Sequence, residues 1–203
     1  MSAGHQPKSH LVLGVTAPAS ATTEVCKLTI NNEMRLNLVV DCYLGQVAST
    51  PALKLQDSLG YAIWTDVKSA TLSASSDQTV TVSGATWTAA SHGFTNGQML
   101  TINSSGNVPG GVQLNKRYFA ANVTTNTFEL TELQNSNAVS IVTTDSGTGT
   151  LKVTAATVIT FRVNAEVAGD QSVCPIRPQG RIAVVATGGQ TAQVLDVRTG
   201  YCY

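Results

Sequence analysis

Residues 85–153, which begin ATWTAASHGFTNGQML and end TTDSGTGTLKV, carry the pattern that decides the fold. Their apolar residues fall in short runs separated by clusters rich in Gly, Asn, Ser, Thr and Pro; the runs are 98–102, 118–123, 127–130, 139–142 and 150–153. Short apolar runs between turn-forming clusters are typical of β-strands joined by tight turns. We therefore predict a self-contained β module in this part of the chain.

The composition of the whole chain favours the same fold class. Charged residues make up 12% of the 203 residues, whereas about a quarter is usual in soluble domains. Thr, Ser, Asn, Gly, Val and Ala are abundant, and no long segment has apolar residues at helical spacing. We predict an all-β protein with an antiparallel β-sandwich base domain, a small inserted β-barrel or β-sandwich module and an extended N-terminal arm.

The chain divides into three predicted parts. Residues 1–22 form the arm, residues 83–152 the inserted β module, and residues 23–82 together with 153–203 the base domain. The predicted base strands lie near 24–30, 35–44, 52–56, 62–67, 79–82, 158–167, 180–187 and 192–198, with a final hairpin turn at 187–191. A module whose ends lie close together can occupy a loop of its host domain at modest entropic cost.

The arm carries the predicted partner interface. It is rich in Pro, Ala, Ser and Thr and has one apolar patch, Leu11, Val12 and Leu13. An arm of this kind cannot bury enough surface to fold alone, so it is either disordered or laid across a partner. Its removal is therefore expected to weaken attachment to a partner and to change the melting temperature very little.

The turn motifs of the inserted module resemble those of a known class of protein. SHGFTNG at 91–97, VPGGV at 108–112, RYFAAN at 117–122, TNTFEL at 125–130 and GTGT at 147–150 are similar to a small module that recurs in virion proteins of tailed bacteriophages. Val112 stands where that module usually has Leu. The resemblance implies a structural component of a phage particle.

The base domain resembles β-sandwich proteins that are common among phage structural genes. The resemblance rests on LKLQDSLG at 53–60, WTDV at 64–67 and PIRPQGRIAVVATGG at 175–189, with Leu59-Gly60 where the family has an Asp-Gly turn. Trp64 is then interpreted as a core or inter-sheet residue, because Trp beside alternating apolar positions is usually buried. A carbohydrate-stacking role is the alternative.

The aromatic residues of the module are predicted to form its core, with ligand binding as the alternative; they are Phe94, Tyr118, Phe119 and Phe128. His92 is not predicted to bind metal, because no second His, Cys or paired carboxylate lies near it in the sequence.

The four cysteines, Cys26, Cys42, Cys174 and Cys202, contain no C-x-x-C pair, which argues against zinc and thioredoxin-like chemistry. If the strands around a turn at 31–33 pair as a hairpin, Cys26 and Cys42 are diagonal neighbours on one face. A disulfide is then conceivable, but a chain made in a reducing cytoplasm favours two buried thiols.

Charge and motifs exclude several classes of function. The formal net charge is zero and Lys and Arg are scattered singly, so we expect no binding to nucleic acid. The apolar run 11–15 is too short for a membrane span or a signal sequence. No hydrolase elbow, HExxH, P-loop or dinucleotide motif occurs, and the carboxylates lie on different predicted strands and turns. We predict no catalytic residue, no cofactor, no metal and no enzyme activity.

The resemblances imply a place in a virion made in the bacterial host cytoplasm. The favoured role is a capsid decoration, or cement, protein that binds and stabilises the major capsid lattice and projects its β module outward. A tail, neck or baseplate component and a receptor- or glycan-binding tip are the alternatives, and a host-surface glycan is then a further partner. Decoration proteins and tips at symmetric positions are often trimers, and β-rich chains have sheet edges to cover, so the resemblance implies a homotrimer.

Overall fold

A computed structural model describes residues 8–16, 21–29, 37–58, 63–134, 138–164, 179–186 and 190–201. Within these residues all regular structure is β-strand, and the strand pairs are antiparallel. The prediction of an all-β, antiparallel fold is confirmed. The chain forms two compact units, one from Met1–Ala74 with Val158–Tyr203 and the other from Ser75–Thr157.

The described residues of the first unit form eight strands. They are β1 (Lys8–Thr16), β2 (Ala21–Thr29), β3 (Asn37–Ala48), β4 (Ala52–Ser58), β5 (Thr65–Thr71), β13 (Thr157–Asn164), β14 (Gln179–Ala186) and β15 (Thr191–Tyr201). Two four-stranded sheets result, with the orders β1-β15-β3-β13 and β2-β14-β4-β5. The first strand therefore neighbours the last, the second the seventh, the third the sixth and the fourth the fifth. This nested pairing over two sheets is the topology of a jelly roll.

The core of the jelly roll follows from the alternation of side chains along its strands. Leu53 and Leu55 of β4 are fully buried, and they share one face of that strand because the side-chain period is two residues. Strands of both sheets contribute to one cluster, which includes Val40, Cys42, Ile182, Val184, Val194 and Val197. Each such side chain stabilises the fold by roughly 1.5–3 kcal/mol relative to full exposure.

The N-terminal segment is a strand of the jelly roll. β1 pairs with β15 from Lys8↔Thr199 to Thr16↔Gln193, with an irregularity between Leu11 and Val15. The prediction of an arm that has no partner within its own chain is therefore wrong for Lys8–Thr16. The reason is that the strand that pairs with β1 lies at the other end of the sequence, and a local sequence pattern does not identify so distant a partner. Residues 1–7 and 17–20 lie outside the described residues.

Two predicted hairpins are also wrong. β2 and β3 belong to different sheets, and so do β14 and β15. β14 already has β2 and β4 as neighbours, and β15 has β1 and β3, so neither has a free edge for the other. Each connection instead crosses from one sheet to the other, as the nested topology requires. The predicted turns at 31–33 and 187–189 lie outside the described residues.

The second unit is a small barrel of short strands. They are β6 (Asp77–Thr79), β7 (Thr81–Ser83), β8 (Thr86–Thr88), β9 (Met99–Ser104), β10 (Arg117–Ala121), β11 (Thr127–Thr131) and β12 (Leu151–Ala155). Their order is β6-β12-β9-β10-β11-β8-β7. β6 and β7 are consecutive in the chain and separated only by Val80, so residues 77–83 join the two ends of the row. This closes the sheet on itself.

The limits of this unit differ from those predicted for the insertion. The sequence pattern predicts that residues 79–82 belong to the base domain, but β6 pairs with β12 and β7 with β8. The Val80 N–H also donates to the Leu151 carbonyl at 3.0 Å. These backbone bonds hold residues 77–83 in the barrel, and the compact unit accordingly extends from Ser75 to Thr157.

Candidate functional site

The prediction that the aromatics form the core of the module is confirmed for Phe94, Tyr118 and Phe128, whereas Phe119 is buried but lies outside that core cluster. Phe94, Tyr118, Phe119 and Phe128 are at most 8% exposed. The Phe128 ring lies edge-on to Phe94, with 5.2 Å between centroids, and stacks with Trp87 at 6.3 Å. Offset and edge-on rings of this kind fill a core well. The barrel interior is therefore a packed core, and ligand binding has to be sought on its outer face.

His92 of the HGF motif stabilises a turn through its ring nitrogens. Its Nδ1 accepts the Phe94 backbone N–H at 3.0 Å, which places the ring proton on Nε2, 3.4 Å from the Thr127 carbonyl oxygen. The ring also stacks on Phe94 and meets Phe128 edge-on. Both ring nitrogens are therefore engaged within the protein. Among the described residues no group of three or more His, Cys, Asp or Glu could hold a metal ion.

The turns around the GTGT segment are also stabilised by contacts within the barrel. In the GTGT segment, Gly147 and Gly149 have φ angles of 70° and 75°. A Cβ on Gly147 would lie 2.6 Å from the Asn107 carbonyl oxygen, so only glycine fits there. Asp145 accepts the backbone N–H groups of Gly147 at 2.7 Å and Gly110 at 3.2 Å, and these bonds lower the pKa of its carboxyl group.

A cleft of about 500 Å³ opens on the outer face of the barrel. Its floor comes from β10, which directs Tyr118 and Ala120 into the core and Phe119 and Ala121 to the opposite face. Asn96, Asn122, Leu133, Gln134 and Ser140 are among the residues that surround the floor. We call this feature the amide cleft. Its size falls within the range of small-molecule sites, roughly 300–1,000 Å³.

The carboxylate of Glu129 contacts two residues of the amide cleft. Its Oε2 accepts a hydrogen bond from Asn122 Nδ2 at 2.8 Å and another from the Ser140 hydroxyl. Glu129 does not itself line the cleft. These hydrogen bonds orient Asn122 and Ser140. The Ser140 hydroxyl is thus bonded to a carboxylate and not to a histidine base of the kind that activates a nucleophilic serine.

A second polar array lies on the sheet β2-β14-β4-β5. Asp66 accepts from Lys54 Nζ at 2.5 Å and from Gln56 Nε2 at 2.6 Å, and these hydrogen bonds lower the pKa of its carboxyl group. Gln56 in turn accepts from Arg181 Nε at 2.8 Å. Each bond joins neighbouring strands, so the array links the sheet from β14 to β5.

Trp64 borders this array and is not a core residue. It is only partly buried, and the Arg181 guanidinium lies over its ring at 4.3 Å from the centroid. The prediction of a core position is therefore wrong, because Trp64 immediately precedes β5, an edge strand whose side chains are exposed or only partly buried. The fully buried tryptophan is Trp87, in the barrel.

Cys26 and Cys42 are free thiols. Cys42 is buried in the jelly-roll core and Cys26 packs against the same cluster. Burial raises the pKa of the Cys26 thiol to about 11 and that of Cys42 further. Thiols of this kind are poor nucleophiles at neutral pH because the reactive thiolate is scarce. Cys174 and Cys202 lie outside the described residues.

The predicted partner residues Leu11, Val12 and Leu13 lie on β1. The backbone of Leu11 pairs with Asp196 of β15, and the irregularity of the ladder follows it. β1 is an edge strand of its sheet. Within the described residues, no helix has the length and apolar character needed to cross a membrane.

Comparisons with models of protein families, with curated proteins and with solved structures gave no match to this chain.

Sequence reasoning missed the amide cleft and the Arg181–Trp64 contact. Asn96 and Asn122 both occur in the turn motifs quoted above, but their sequence spacing does not show that they converge. Arg181 and Trp64 are brought together only by the nested strand order. A sequence signal for either feature would have required knowledge of which strands are neighbours.

Proposed function

We propose that this chain is a structural component of a tailed-bacteriophage virion, most simply a capsid decoration protein that binds the major capsid lattice. The observation that carries the proposal is the jelly roll with a separate barrel between β5 and β13. Jelly rolls occur in viral capsid domains, lectins and cupins. The support is an analogy of fold, and it agrees with the resemblance of the turn motifs to phage virion proteins.

The chemistry of the described residues supports a binding role over a catalytic one. Carboxylates such as those of Asp145 and Asp66 are engaged in a turn and in a cross-strand pair, respectively. Glu129 is held by Asn122 and Ser140. These arrangements stabilise the fold without bringing an acid and a base to one reacting centre.

The jelly roll offers edges for assembly. β1 and β13 are the edge strands of one sheet, and β2 and β5 are those of the other. An uncovered strand edge presents unpaired N–H and C=O groups, which proteins cover or protect. Contacts between copies in a homotrimer would cover such edges, and three weak contacts with a lattice then act together through effective concentration.

Co-sedimentation with capsid shells tests the proposal. Shells assembled from the major capsid protein of the same phage are mixed with the full chain and pelleted, and their melting temperature is measured with and without it. We expect saturable binding and a higher shell melting temperature, because a ligand of the assembled state stabilises it. A Glu129→Gln variant should bind equally well, since no catalytic carboxylate is involved.

Binding to isolated tails, with none to shells, would contradict the decoration role and favour a tail or baseplate component. Cleavage of a host polysaccharide by the full chain, abolished in Glu129→Gln while folding is retained, would contradict the non-enzymatic role altogether.

A further inference from the structure

We propose that the amide cleft is a binding site for a neutral carbohydrate. The inference concerns the barrel alone and does not require attachment to a capsid. It rests on the anchored amide side chains around the cleft, on the absence of charge among the described residues that line it, and on the pairing of its strands with neighbours on both sides.

Each of three side-chain amides is fixed by one polar atom and leaves the other without a partner in the described chain. Asn96 Oδ1 accepts the Val123 N–H at 3.0 Å, which leaves its Nδ2 donor free. Gln134 Nε2 donates to the Gly97 carbonyl at 2.8 Å, which leaves Oε1 as a free acceptor. Asn122 Nδ2 donates to Glu129, so its Oδ1 is also a free acceptor.

These anchors hold the free atoms in place before a ligand arrives. A pre-organised group loses less conformational entropy on binding than a freely rotating side chain. One donor and two acceptors around a single cleft suit a ligand whose groups both donate and accept, and hydroxyl groups do both. A sugar carries several hydroxyl groups on a rigid ring.

The remaining lining agrees with a neutral ligand that has an apolar face. No Asp, Glu, Lys or Arg is among the described residues that line the cleft, so a charged ligand would find no partner of opposite sign. Phe119 and Ala121 supply apolar floor, and Leu133, which is 62% exposed, supplies an apolar rim. The C–H groups of a sugar ring can pack against such a surface while its hydroxyl groups reach the amides.

A peptide strand fits the cleft less well. Extended peptides usually gain affinity by adding to the open edge of a sheet. The two strands beside the cleft have no open edge, because β10 lies between β9 and β11 and β11 lies between β10 and β8. Recognition must therefore use the side chains that surround the floor.

Saturation-transfer NMR on the full chain tests this proposal. The probes are glucose, galactose, N-acetylglucosamine, maltose and chitobiose, each at about 10 mM to detect affinities in the millimolar range. Glucuronic acid and tri-alanine serve as the charged and the peptide comparison. We expect saturation transfer to at least one neutral sugar and to neither comparison compound.

Two variants assign the signal to the cleft. Gln134→Ala removes one free acceptor and should weaken binding by about tenfold. Ala121→Phe fills the floor and should abolish binding. Gln113→Ala is the matched control, because it removes an exposed amide of the same unit that does not line the cleft. Circular dichroism checks that each variant folds. If Ala121→Phe does not fold, the result for Gln134→Ala decides the test.

The proposal is overturned if none of the neutral sugars receives saturation, if glucuronic acid or tri-alanine is the preferred probe, or if Gln134→Ala binds as tightly as the unmodified chain. None of these results would alter the outcome of the co-sedimentation with capsid shells, so the two proposals fail separately.

Discussion

The jelly roll and the barrel are both antiparallel β units, but their strand pairs span very different lengths of sequence. In the jelly roll, Lys8 pairs with Thr199, so the two ends of the chain meet in one sheet. In the barrel, β10 pairs with β11 across a few intervening residues, and the whole unit lies within Ser75–Thr157. Contacts between distant residues are costly to form because they close long loops. We therefore expect the barrel to fold from its own sequence, whereas the jelly roll needs β1 and β15 together.

Deletion of residues 1–16 tests this difference most severely. We expect loss of the cooperative unfolding transition of the jelly roll, because β15 loses the neighbour that pairs with it from Lys8 to Thr16. The loss should exceed about 5 kcal/mol, which is comparable to the whole stability of a domain. Two-dimensional NMR should show that the barrel resonances persist. A melting temperature within about 2 °C of that of the full chain would show instead that β1 adds little, as expected of an arm.

Core truncations should separate the two units. Phe128→Ala removes a fully buried ring from the barrel and should destabilise that unit by about 3–5 kcal/mol. Leu55→Ala is the counterpart in the jelly roll and should cost that unit about 2–5 kcal/mol. Hydrogen exchange measured by mass spectrometry reports each unit separately. Equal acceleration of exchange in both units by either variant would contradict their independence.

These expectations also show how far the sequence alone determines the fold. Short apolar runs and turn clusters were enough to predict β9, β10, β11 and β12 and buried aromatics such as Tyr118 and Phe128. They did not predict β8, and the predicted run 139–142 forms only an isolated bridge at Ser140. The same local pattern could not pair β1 with β15 or assign β2 and β3 to different sheets. Strand pairing depends on hydrogen bonds between residues that are remote in sequence, and a strand pattern does not specify its partner.

The candidate site was less predictable than the fold. The amide cleft depends on the convergence of loops that carry Asn96, Asn122 and Gln134, and no spacing rule links these positions. Trp64 and Trp87 are both followed by Thr in the sequence, yet only Trp87 is fully buried. Their difference arises from strand position, since Trp64 borders the edge strand β5.

Glycine substitutions in the barrel turns should have a smaller effect, confined to that unit. Gly147→Ala combines a φ of 70° with a Cβ 2.6 Å from the Asn107 carbonyl oxygen and should cost about 1–3 kcal/mol. Gly84→Ala is the matched control, because its φ is 59° but no atom lies within 4 Å of the new Cβ. Thermal unfolding should rank Gly147→Ala as clearly the less stable. Equal melting temperatures would show that the close contact at Gly147 does not affect the stability of the barrel.

The smallest effect concerns the polar array on the jelly roll. Hydrogen bonds from Lys54 and Gln56 lower the pKa of Asp66 below its ordinary value of 3.8. The resulting stabilisation is present above that ordinary value and is lost as the pH falls through the lower value of the folded state. Because Asp66 is well exposed, the effect should be slight and weaker at high salt. Asp66→Asn should reduce the fall in the free energy of unfolding at acid pH. An unchanged pH dependence would contradict a contribution of the hydrogen bonds to Asp66.

A reconstruction of the intact particle by cryo-electron microscopy tests the central claim most directly, which is that this chain is a structural binding protein of the virion. Fitting of the jelly roll and the barrel as separate bodies allows for any arrangement of the two units. The account predicts density for the chain on the outer surface of the capsid shell, in three-fold sets, with the jelly roll in contact with the major capsid protein. Density in the tail, or a particle without any density for the chain, would contradict it.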